Sequence, residues 1–71
     1  MALESGSREY WNLKEHAERL YRKAANARST SERREIAEQG NALADRMEEK
    51  YGFDDDSVRY IINEFSLRRL D

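Results

Sequence analysis

The side chains that could do chemistry in this chain are few, and their spacing excludes more than it offers. His16 is the only histidine, and cysteine is absent. No two histidines can therefore share a metal ion, and no thiolate is present as ligand or nucleophile. The run Phe53-Asp54-Asp55-Asp56-Ser57 places three carboxylates in succession. A calcium loop needs alternating oxygen ligands, a glycine at its sixth position and a glutamate at its twelfth. Counted from Asp54, those positions hold Arg59 and Phe65, so the run reads as helix-capping chemistry instead. There is also no phosphate-binding glycine loop and no serine with a base placed by motif. The expectation is a chain that is not an enzyme, with no metal, no cofactor and no small-molecule substrate evident. His16 lies off the apolar stripe of its segment and reads as a surface residue.

What must position these residues is helix. The chain has 71 residues, 39% of them charged, three glycines and no proline. A chain of this length supports one domain and a modest core, and its Ala-, Glu-, Arg- and Leu-rich composition favours helix throughout. Residues 1–6 read as a disordered leader without signal-peptide character, and 7–71 as a single helical domain. No apolar run is long enough to span a membrane, and the localisation expected is cytoplasmic.

Three periodic segments follow. Tyr10, Leu13, Ala17, Leu20 and Ala24 make one helical stripe over about residues 7–27. Ile36, Gly40, Leu43, Met47 and Tyr51 make a second over about 31–51, preceded by a capping box at Ser29 and Glu32. Gly52 suits a left-handed helix ending, with Phe53 folding back on Met47. Val58, Ile61, Ile62 and Phe65 make a third over about 55–69, capped by the aspartates. The fold predicted is all-α, a small antiparallel three-helix bundle, self-sufficient or completed by dimerisation.

Gly40 sits at the centre of the second stripe. It reads either as the turn of a DNA-reading helix-turn-helix or as a close-contact point inside one helix. The apolar pattern runs through it in phase, and "ALADRMEEKY" after it holds three acids against two bases, a poor recognition helix for phosphate. The favoured reading is a socket for Leu20. The register then sets Ile36 level with Ala24, Leu43 with Ala17 and Met47 with Leu13, large against small.

Two surfaces offer themselves for recognition. If the third helix runs to residue 69, Tyr60, Asn63, Leu67 and Leu70 share a side away from its core stripe, and Asn63 would set register within it. That face, with Trp11 contributing, would hold a protein partner or a second copy. The plainer alternative is that Leu67 and Leu70 fold over the open end of the bundle. The second surface is basic. Residues 8–34 carry eight basic and four acidic side chains, and residues 35–56 carry two and eight. The contrast reads first as attraction between the first two helices. As a binding surface, Arg8, Arg19, Arg22 and Lys23, with Arg33 and Arg34 in the loop, would meet a nucleic acid. The net charge of −2 disfavours that. The expected function is a small protein-interaction module, an adaptor, inhibitor or accessory subunit, with a nucleic-acid-associated regulator as the alternative.

Overall fold

The computed structural model describes residues 2–70. It contains three α-helices, α1 (Arg8–Ala25), α2 (Thr30–Tyr51) and α3 (Asp56–Glu64), followed by a 3-10 turn at Leu67–Arg69. None of these helices is long and apolar enough to cross a membrane. Each start is set by a side-chain cap. Ser7 Oγ accepts from the Tyr10 N–H, Ser29 Oγ from the Glu32 N–H and Asp55 from the Val58 N–H, satisfying donors that a helix terminus leaves free.

α1 and α2 pack antiparallel. The Lys50 ammonium meets the Glu9 carboxylate at 2.7 Å across the pair, so the last turn of α2 lies beside the first of α1. α3 runs parallel to α1. Lys14 lies over the Tyr60 ring, and farther along both helices Tyr21 meets Phe65 edge-on at 6.2 Å. The three stripes converge on one core of Tyr10, Ala17, Leu20, Ala24, Ile36, Ala37, Leu43, Ala44, Met47, Val58, Ile61 and Ile62.

The C-terminal segment departs from expectation. α3 ends at Glu64, and Ser66 adopts a left-handed conformation, φ 50 and ψ 40. That costs a non-glycine residue about 1–2 kcal/mol. The reversal sends the chain back over α2, where Leu67 is fully buried and Leu70 is 6% exposed. Burying a leucine gains about 1.5–3 kcal/mol, so two outweigh the strained serine. Leu67 and Leu70 are therefore core, not part of an outward partner-binding face. Arg68 fastens the turn to α2, reaching Asp45 Oδ1 at 2.7 Å and also bonding Glu48.

Gly40 lies inside an unbroken α2, so no turn occurs there. The atoms nearest to where its side chain would begin are not those of Leu20. A Cβ at this position would stand 2.7 Å from both the Leu67 carbonyl oxygen and Leu70 Cδ1. The glycine is the socket for the C-terminal turn, and its absent side chain is what lets that backbone approach.

Two further expectations change. Gly52 has φ 100 and ψ 154, a region reserved for glycine, and it leads into a turn in which the Asp55 N–H donates to the Gly52 carbonyl, not into a left-handed ending. Phe53 consequently projects into solvent at 72% exposure and does not pack on Met47. At the other end, the leader is docked in part. Leu3 is buried, and its N–H donates to Asp55 Oδ2 at 2.8 Å. Met1 lies outside the described residues.

Candidate functional site

Cα extents of 38 × 19 × 14 Å leave every helix with a solvent face, so a recognition surface must be sought where large apolar groups stay outside the core. Four do: Trp11, Tyr21, Phe53 and Tyr60. Two of these meet. Trp11 is one residue past Tyr10 on α1, about 100° around the helix, so Tyr10 enters the core while Trp11 stands at its edge. Their rings touch edge to face, centroids 5.5 Å apart at 79°. Lys14, three residues on, shares Trp11's side of the helix. Its ammonium lies 4.9 Å from the Trp11 ring centre and 5.8 Å from that of Tyr60 on α3.

The result is a ring–cation–ring arrangement across the α1–α3 seam, with Trp11 50% and Tyr60 47% exposed. An ammonium over an aromatic face contributes about 0.5–1 kcal/mol at an exposed site. Its larger consequence is order. Lys14 holds two big side chains in place before anything binds, which lowers the entropy lost on association. Phe53 projects from the α2–α3 connection at the same end of the bundle.

Of the five residues expected to bind a partner, the structure therefore brings together Trp11 and Tyr60. Asn63 is exposed and lines a depression with Ile62, Ser66, Arg68 and Arg69. Leu67 and Leu70 are interior. Lys14 and Phe53 were not anticipated. Lys14 was legible in principle, since it stands three residues from Trp11. Phe53 was not, because its exposure follows from the ψ angle of Gly52.

The six basic candidates do not form one surface. Arg8 opens α1. Arg22 pairs with Glu18 at 3.5 Å, and with Lys23 it borders a depression that also contains Glu32 and Glu35. Arg33 sits with Arg69 and Tyr21 at the turn end of the bundle. Arg19 lies near His16, and Arg34 is exposed on α2.

No group of three or more His, Asp or Glu side chains is disposed to hold a metal among the described residues. Asp55 is instead held by its hydrogen bonds. The Leu3 N–H first, and the Val58 N–H with it, keep its carboxyl below the usual aspartate range. Comparison with protein families, with curated proteins and with solved structures found no match to this chain.

Proposed function

We propose that this chain is a small, non-enzymatic protein-interaction module, an adaptor, inhibitor or accessory subunit, that seats a partner protein or a second copy on the α1–α3 face. The observation that carries this reading is the half-exposed pair Trp11 and Tyr60 with the Lys14 ammonium between them. Tryptophan and tyrosine are enriched among residues that dominate binding energy. The matching chemistry on the partner is an apolar side chain flanked by a carboxylate for Lys14.

The alternative, a nucleic-acid-associated regulator, has weaker support, because its basic residues are dispersed and partly matched by acids. Trp11 is the only tryptophan, so its fluorescence reports directly on the face. Sedimentation across a concentration series tests the second copy, and photocrosslinking from position 60 tests a foreign chain. Association should shift Trp11 emission to the blue, and Trp11→Ala with Tyr60→Ala should abolish association, as read by sedimentation, while the thermal melt is retained. Association undiminished in the double variant would sink the reading. A monomer with steeply salt-dependent affinity for duplex DNA would favour the alternative.

A further inference from the structure

The opposite side of α1 carries a different kind of site. Between α1 and α2 runs a groove of about 240 Å³. Its floor is apolar, formed by Leu13, Leu43 and Met47. One end is bounded by His16 and Arg46. Arg19 and Lys23 from α1 and Arg46 from α2 all act on the half-buried imidazole, and none of the three forms an ion pair among the described residues. The other end is closed by the Glu9–Lys50 pair and by Tyr51. The Tyr51 hydroxyl is buried and makes no hydrogen bond. It is close enough to Glu9 and Lys50 for both to influence it, but burial comes first and pushes it up. A buried hydroxyl left without a partner is unfavourable, and a ligand atom at that point would relieve it.

The two ends differ in what they accept. The His16 end has surplus positive charge. At the Tyr51 end Lys50 is matched by Glu9, whose carboxylate repels an anion, leaving an appetite for a neutral hydrogen-bonding group. From Glu9 to His16 the groove follows about 10 Å of helix, a span suited to an extended chain of about eight carbons.

We propose that the α1–α2 groove binds a small elongated carboxylate, its anionic head against His16 and Arg46, its apolar body over Leu13, Leu43 and Met47, and a neutral polar terminus at the Tyr51 hydroxyl. This adds a ligand site to a chain whose sequence shows no small-molecule substrate, and it does not depend on the α1–α3 face.

His16 provides the readout, because as the only histidine its ring resonances are unambiguous. Burial, then Arg19, Arg46 and Lys23, hold its pKa below the ordinary histidine value. A bound carboxylate adds the opposite charge and must move it upward. The intact chain is titrated by NMR with octanoate, 8-hydroxyoctanoate, acetate and octanol. The expected result is saturable binding of both eight-carbon acids, a raised His16 pKa, and tighter binding of the hydroxy acid. Arg46→Gln, at an exposed position, should weaken both acids about tenfold, the value of one charge-assisted hydrogen bond. Tyr51→Phe should erase the advantage of the hydroxy acid alone. Acetate acting as strongly as octanoate would reduce the effect to ionic screening and overturn the site. Equal binding of octanol would overturn the assignment of the head. A hydroxy acid no tighter than octanoate would overturn the role given to Tyr51.

Discussion

The C-terminal turn and the α1–α3 face both carry large side chains that the three main apolar stripes leave over. Leu67 and Leu70 on the turn are interior, whereas Trp11 and Tyr60 on the face are half in solvent. Hydrophobicity does not explain the difference, since all four could bury favourably. Room does. α2 presents a glycine where the turn crosses, with a carbonyl oxygen and a methyl group occupying the space a Cβ would need. Beside Trp11, Tyr10 takes the core position and the Lys14 ammonium lies against the ring. Apolar groups in this small protein become core where a neighbour is small enough to admit them, and remain available for recognition where it is not.

The comparison can be broken most forcefully at Leu67. Leu67→Glu places a charge where the leucine is fully buried, and should destabilise by more than about 4 kcal/mol. For a domain this small that means loss of the cooperative thermal transition. A folded variant that merely loses self-association would return Leu67 to an outer interface. Gly40 is next. Gly40→Ala improves helix propensity by about 1 kcal/mol, yet overpacking against the turn should reverse the sign and leave a net loss of about 1–2 kcal/mol. Adding Leu70→Ala to it should not rescue stability, because the Leu67 carbonyl oxygen is still 2.7 Å from the new Cβ. A stabilised Gly40→Ala in chemical denaturation would mean that the turn does not cross α2 there.

Asp55 gives a smaller, pH-dependent effect. Its folded pKa is depressed by the Leu3 and Val58 N–H groups. Its contribution is therefore complete above the unfolded value of about 3.9, and it is lost as the pH falls through the folded value. Asp55→Asn retains a capping oxygen but not the charge. It should cost about 1 kcal/mol at neutral pH, with the gap to wild type closing in acid, as read by urea melts at several pH values. The smallest effect belongs to the proposed recognition face. Tyr60→Ala should change stability by less than about 1 kcal/mol while removing the proposed association, with Trp11 fluorescence as the readout.

Much of the fold was legible from residue spacing. The three stripes, a cap at Ser29 and one within the aspartate run, and the antiparallel register of α1 and α2 all follow from local rules, and Lys50 opposite Glu9 agrees with Met47 level with Leu13. Gly40 was legible as a packing point but not in its partner. A helical wheel drawn through residue 69 assumes that α3 continues, and on that wheel Leu67 and Leu70 join Tyr60 and Asn63. A single left-handed residue, Ser66, turns them inward. No composition rule announces that serine, since its conformation is chosen by the burial it makes possible.

By itself, then, the chain's order of residues determined which segments are helical, which stripe each turns inward and where the helices begin, because these depend on neighbours three and four positions apart. Tertiary structure decided where α3 stops, which glycine receives which leucine and which aromatic rings stay outside. Those outcomes rest on competition for limited core volume among residues distant in sequence, and that competition is resolved only once the helices are packed.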